Sequence, residues 1–201
     1  MTEATELPIV AYGHPVLRQK CTDIDALAYP GLYELVMNMW YTMYNAGGCG
    51  LAAPQVNVPV RIFLVDSRHT FELLEDGERE DLFDGDEGIQ DTFINARIID
   101  RGARTWTDEE GCLSIPNLAG EVERPWSITI SYLDGRLEEQ VKTFHGLTAR
   151  MIQHEYDHIE GILYLDYLNK RKQAALKKRL QRIADGKESA RYPMLFADKT
   201  S

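Results

Sequence analysis

The chain is poor in cysteine, in long apolar runs and in positive charge, and each shortage excludes something. Its 201 residues hold three cysteines, Cys21, Cys49 and Cys112. So few, and an odd number, argue against a disulfide framework; no disulfide partner is expected, and a reducing compartment fits. No stretch approaches the roughly 18 successive apolar residues of a membrane-spanning helix. The opening MTEATELPIV has no basic segment leading into an apolar one, so no secretion signal is expected and the location reads as cytoplasmic. With 22 Lys and Arg against 32 Asp and Glu, the net charge of -10 argues against a broad nucleic-acid-binding surface. What remains is one hydrophilic chain of mean hydropathy -0.35, long enough to bury a core without staples.

The charge is unevenly spread. Residues 72–91 carry ten Asp or Glu against Arg79, with Gly77, Gly85 and Gly88 between them. That composition reads as a solvated loop. Residues 170–187 reverse the sign: Lys170, Arg171, Lys172, Lys177, Lys178, Arg179, Arg182 and Lys187 face only Asp185. Two readings of this stretch stand, a solvated helix face and an electrostatic contact with ribosomal RNA.

Periodicity organises the rest. HPVLRQ reads as an extended arm leading to Cys21. A first helix starts at Pro30, with Leu32, Leu35, Val36, Met39 and Met43 as its apolar stripe and Gly47 and Gly48 as its stop. GLAAPQV reads as a small-residue loop. Strands are expected at Val60 to Asp66, Phe93 to Asp100, Ser127 to Asp134 and Glu139 to His145, the last two as a hairpin about Gly135 and Arg136. A largely buried helix follows from Leu147 to Ile159, ended by Gly161, and a last helix spans Asp166 to Asp185. Residues 1–165 are read as a catalytic region and 166–201 as a basic helix and tail of the same domain.

Within the second-to-last helix stands His154-Glu155-x-x-His158. The two histidines leave the same helical face one turn apart, so both rings can reach one ion. Glu155, about 100° further round, can hold a water without being a ligand. Cys112, upstream in EGCLS, offers a thiolate. Taken alone, a cysteine is more often a buried small hydrophobe than a ligand. If it ligates, a Cys-His-His set leaves a fourth position open, which is the mark of a catalytic site.

Three short motifs stand together: Gly48 to Gln55 (G-C-G-L-A-A-P-Q), Glu110 to Ser114 (E-G-C-L-S) and Gln153 to His158 (Q-H-E-Y-D-H). In type and order they resemble those of the peptide deformylases, over roughly residues 8–170. The resemblance implies an α+β fold in which antiparallel β-sheets surround a central metal-binding helix, here with an additional C-terminal helix. It implies removal of the formyl group from the N-terminal formyl-methionine of newly made polypeptides. It implies Cys112, His154 and His158 as metal ligands, Glu155 as general acid and base for attack by a metal hydroxide, and Gln55 and the Leu113 N–H as oxyanion donors. Fe(2+) is the metal that the resemblance favours, with Ni(2+), Co(2+) or Zn(2+) as replacements; the ligand set itself tolerates all of them. Gly48 and Gly50 are read as letting an extended peptide approach the backbone closely. Glu110 is paired with Arg124, steadying the loop of Cys112. Cys49 stands where the family more often has a branched aliphatic residue and is read as packing, ahead of lining the substrate cleft or serving as a second oxidisable thiol, while His14, His69 and His145 are read as surface or structural.

Two other readings compete. An H-E-x-x-H metalloprotease would use the same glutamate but take its third ligand downstream, where only Glu160 lies near and no histidine follows. An inactive, ribosome-associated binding module would not need Gln55, Cys112 and Glu155 intact.

Overall fold

The computed structural model describes residues 4–188 and 190–197. Its strands are β1 (Ile9–Val10), β2 (Gly50–Ala52), β3 (Ile62–Asp66), β4 (Gln90–Arg101), β5 (Thr105–Cys112), β6 (Ile115–Pro125), β7 (Ser127–Leu133), β8 (Glu139–His145) and β9 (Met194–Leu195). Its α-helices are α1 (Leu32–Asn45), α2 (Arg68–Leu73), α3 (Asp76–Phe83), α4 (Gly146–Ile159) and α5 (Lys170–Ala184). Five strands form one antiparallel sheet in the order β2-β3-β4-β7-β8, β5 and β6 form a separate hairpin, and β1 pairs in parallel with β9. The architecture is α+β, with α4 between the five-stranded sheet and the hairpin.

Two faces of α4 explain that position. Ala149, Ile152, Tyr156 and Ile159 recur at helical spacing and pack on the sheet. The sheet answers with alternate residues: in β7, Ile128, Ile130 and Tyr132 turn inward while their neighbours are less buried. Phe93 of β4 stacks on Phe63 at 4.7 Å and leans on Tyr132 at 4.3 Å between ring centres. Such aromatic pairs add about 0.5–1.5 kcal/mol to plain burial. The opposite face presents Arg150, His154, Asp157 and His158 to the hairpin, and these polar residues are themselves buried or nearly so.

Several expectations from sequence change. HPVLRQ is not an extended arm: Pro15–Arg18 form a 3-10 turn, whose start is capped by the His14 ring accepting from the Val16 N–H at 3.3 Å. The first helix begins at Leu32 and not Pro30, because Gly31 adopts a left-handed conformation ahead of it. GLAAPQV is no loop; it contains β2 and a 3-10 turn over Ala53–Val56. The expected last helix is divided into a 3-10 turn, Tyr164–Tyr167, and α5, whose Asn169 side chain caps the Lys172 N–H at 2.9 Å.

The acidic segment is the largest correction. Much of residues 72–91 is helical, in α2 and α3, and Phe83 is fully buried. Phe71 meets Phe83 edge-on at 5.1 Å. The one cation, Arg79, lies over the Phe71 ring and donates to the Phe71 and Glu72 carbonyls at 2.8 and 3.0 Å. The acids stay in water while two aromatics and one guanidinium fold the segment.

This folded insert bears on the first turn of α4. Gly146 opens that helix at φ 52°, and a Cβ there would strike the Leu82 carbonyl. Gly146→Ala is expected to lower unfolding stability by at least about 1–2 kcal/mol, combining the left-handed backbone penalty with displacement of α3. Equilibrium denaturation of parent and variant would check it; equal midpoints would mean that α3 gives way at no cost.

Candidate active site

The two-residue turn between β5 and β6 is where the site begins. Cys112 pairs with Ile115, and the preceding pair is Gly111 with Ala119, so the register slips across residues 116–118 at the end of β5. That irregularity bends the strand end toward α4. Cys112 Sγ lies 3.2 Å from His158 Nε2, and donor atoms of Cys112, His154 and His158 all lie within 4.8 Å of one another. Ligand bonds of about 2.0–2.3 Å suit such a cluster.

The rings are oriented from behind. Burial disfavours a charged Glu110, but hydrogen bonds from Arg124 and His154 outweigh it and hold the carboxyl well below the usual range. An ionised Glu110 can only accept, so His154 Nδ1, at 2.9 Å, carries a proton and gives it to Oε2. The other ring nitrogen, Nε2, then keeps its lone pair for an ion. Burial pushes the His158 imidazole well down, favouring the neutral form that ligates. His154, despite burial, is pulled well up by Cys112 and Glu110. One thiol and two imidazoles converging on one point are a donor set that fits a metal cation.

Glu110 is the centre of a buried network. Its Oε1 accepts from Arg124 Nε and Arg150 Nη1, each at 2.6 Å, and its Oε2 accepts from Arg124 Nη2 at 2.8 Å. Arg124 continues to Asp157 at 2.8 Å. The expected Glu110–Arg124 pair is present, and Arg124 is buried instead of solvated. Sequence reading missed Arg150 and Asp157. The signal was available: both lie on α4 within one turn of a candidate ligand.

Gln55 is buried, and its amide is turned by its neighbours. Its Oε1 accepts from the Ala52 N–H at 2.8 Å, which directs Nε2 toward Ser114 Oγ at 3.2 Å and Cys112 Sγ at 3.5 Å. Glu155 is buried too, and burial pushes its carboxyl up to about 7. Its Oε2 has no hydrogen-bond partner among the described residues. An orphaned buried carboxylate oxygen beside three convergent donors has a proton to handle or a solvent molecule to hold.

A cavity of about 750 Å³ opens onto these groups, lined among others by Gly48, Gly50, Gln55, Leu113, His154 and Glu155. The two glycines are also needed for a reason that was not read from sequence. A Cβ on Gly50 would lie 2.7 Å from Glu155 Cγ and Cδ, and one on Gly48 would lie 2.7 Å from Leu113 Cδ1. They make room first for Glu155 and Leu113 themselves. Cys49 is exposed and lines the cavity instead of packing in the core. His14, His69 and His145 do not line it. Glu160, the third ligand that a metalloprotease would need, is engaged elsewhere by Arg61 at 2.6 Å and Lys20 at 2.7 Å.

Comparison with known proteins agrees with this geometry. The family model described as polypeptide deformylase matches residues 6–174. A peptide deformylase from Christiangramia forsetii is 48% identical over 192 residues, covering 94% of this chain and 95% of that one. The structure resembles that of peptide deformylase from Ehrlichia chaffeensis, with a TM-score of 0.76, 31% identity, and coverage of 89% of this chain and 96% of that one. It also resembles an Acinetobacter baumannii peptide deformylase solved with Met-Ala-Ser bound, with a TM-score of 0.72, 31% identity, and coverage of 83% and 100%.

Replacing Glu110 by Gln would take the charge partner from buried Arg150, leave Arg124 with Asp157 alone and loosen His154. Stability is expected to fall by about 3–5 kcal/mol, and metal affinity by about 10–100-fold. Denaturant unfolding and chelator competition measure the two separately; unchanged affinity would detach Glu110 from the metal centre.

Proposed function

The chain belongs to the peptide deformylase family of hydrolases, and from that membership we propose that it removes the formyl group from N-formylmethionyl peptides with one divalent metal held by Cys112, His154 and His158. The observation that carries the reading is the buried Glu155 carboxylate, one oxygen unpartnered, beside three donor atoms within 4.8 Å of one another. The Met-Ala-Ser in the Acinetobacter baumannii relative has the form of a deformylated peptide and supports the same substrate class. Two imidazoles and a thiolate tolerate Fe(2+), Ni(2+), Co(2+) and Zn(2+); membership of the family is what favours Fe(2+).

An ion held by Cys112, His154 and His158 would supply an acidified water and polarise the formyl oxygen. Glu155 takes the proton released as that water adds to the formyl carbon and returns it to the departing amine nitrogen as the C–N bond breaks. Formate and a free methionine amine result. The Gln55 amide and the Leu113 N–H donate to the oxygen that gains negative charge. The strand edge at Gly48 and Gly50, on the cavity wall, receives the peptide in extended form.

Formate release from formyl-Met-Ala-Ser tests the activity, with elemental analysis of anaerobically purified protein alongside. Glu155→Ala is expected to keep the metal and lose nearly all turnover. Cys112→Ser is expected to lose the metal, because a hydroxyl is far harder to ionise than a thiol. A serine variant with full metal would remove Cys112 from the ligand set, and an alanine variant without metal would make Glu155 a ligand.

The basic helix suits a contact with the ribosome, where such substrates emerge in the cytoplasm. Among the described residues no helix is long and apolar enough to cross a membrane. Lys172 pairs with Glu121, Arg179 donates to the Asn117 carbonyl and Arg182 pairs with Glu188, so these cations also serve the fold. Lys170, Arg171, Lys177 and Lys178 are exposed on the same helix. Changing these four to Glu is expected to abolish low-salt co-sedimentation with ribosomes and leave activity on short peptides intact. Co-sedimentation equal to the parent would make the helix a solvated face.

A further inference from the structure

The chain does not end at α5. It returns to the cavity: Ala190, Arg191 and Tyr192 line it, and β9 then pairs with β1 through Ile9↔Met194 and Val10↔Leu195. All of these tail residues lie beyond the segment matched by the family model, which stops at residue 174. The Tyr192 hydroxyl donates to the Leu113 carbonyl at 2.7 Å. Leu113 and Ser114 are the whole turn between β5 and β6.

We infer that Tyr192 is a positioning residue for deformylation, its hydroxyl fixing the turn that carries the Leu113 N–H. The inference rests on the proposed role of that N–H as an oxyanion donor. Each carbonyl of the two-residue turn is tied down from outside the hairpin. Leu113 is held by Tyr192 of the tail, and Ser114 by the Tyr12 N–H at 2.8 Å, just past β1. The two anchors are themselves coupled, because Ile9 N–H donates to Pro193 O and Ala11 N–H to Leu195 O, each at 2.8 Å. The chain termini thus form one brace around the turn. Gln55, the other proposed donor, reaches the same turn through Ser114 Oγ at 3.2 Å. An oxyanion donor stabilises charge only while it keeps its orientation as charge develops. A turn pivoting about its two ends would lose that orientation without losing Cys112.

The ring and the hydroxyl of Tyr192 have separable tasks. The ring packs with Leu113 against the apolar cluster of Met39, Met43 and Leu51. Tyr192→Phe therefore keeps the packing and removes one hydrogen bond. On formyl-Met-Ala-Ser, kcat is expected to fall about tenfold with KM within about twofold of the parent, the signature of an interaction felt in the transition state. Metal content and melting temperature should not move. A kcat within about twofold of the parent overturns the inference, and so does a loss traced to missing metal or raised KM. Incorporating the α-hydroxy analogue of leucine at position 113 replaces its N–H by an ester oxygen and separates the two ideas. If the ester leaves kcat intact, the reading of Leu113 as a donor fails. If the ester slows turnover and Tyr192→Phe does not, the positioning role alone fails.

Discussion

The Glu110 carboxylate is the constraint on which the rest of the site depends. It is buried, ionised and saturated by Arg124, Arg150 and His154, with four contacts between 2.6 and 2.9 Å. A charge in that position is tolerable because two guanidiniums surround it, and those guanidiniums depend in turn on it, Arg150 alone and Arg124 together with Asp157. The consequence is geometric. Arg124 comes from β6, Arg150 and His154 from α4, and Glu110 from β5, so one carboxylate fastens the hairpin to the helix. Moving any of the three elements would unpair a buried charge, which makes their mutual arrangement steep in energy. The candidate metal ligands inherit that rigidity, because Cys112 follows Glu110 by two residues and His154 is held by it directly.

The same logic explains the composition of α4. A helix buried on all sides is usually apolar, yet this one offers Arg150, Gln153, His154, Glu155, Asp157 and His158. Its sheet-facing stripe of Ala149, Ile152, Tyr156 and Ile159 provides the apolar burial. The polar side is then matched, group by group, to the hairpin, and Gln153 donates to the Pro125 carbonyl at 3.0 Å. Arg150 Nε, Glu155 Oε2 and His158 Nδ1 are the atoms of this polar side left without partners among the described residues. Two of the three belong to residues to which the proposed function gives chemistry.

Much of this was legible in the sequence, and what was not had physical reasons. The Cys112, His154 and His158 set, the Glu110–Arg124 pair and the strands at Phe93, Ser127 and Glu139 all follow from motif and periodicity. The hairpin of β5 and β6 did not stand out, because TWTDEEGC and IPNLAGEVERP alternate weakly and carry acids on a half-exposed ribbon. Its stabilising partners are Arg150 on a distant helix and Leu168, whose side chain Gly120 admits closely. Residues 72–91 were misread because composition records ten acids and says nothing of where Phe71 and Phe83 meet. Gly50 has a second reason that one sequence cannot reveal: Glu155, far along the chain, fills the space a side chain would need.

The termini show where local reading reaches its limit. Ile9–Val10 and Met194–Leu195 are two-residue strands that no periodicity would single out, and neither is stable alone. Together they close a loop through the whole chain and set Tyr12 and Tyr192 on the two carbonyls of one turn. Such non-local pairing costs chain entropy that only the finished fold can offset. It also concentrates the benefit at one position: Gln55 from β2's following turn, Tyr12 from the start of the chain and Tyr192 from its end all converge on Leu113 and Ser114. The hairpin is thus fixed at its base by charge, through Glu110, and at its tip by neutral hydrogen bonds. Charge fixes the buried base around Glu110, whereas neutral bonds suffice at the tip, where Leu113 faces the cavity and a further buried ion would cost desolvation without a partner.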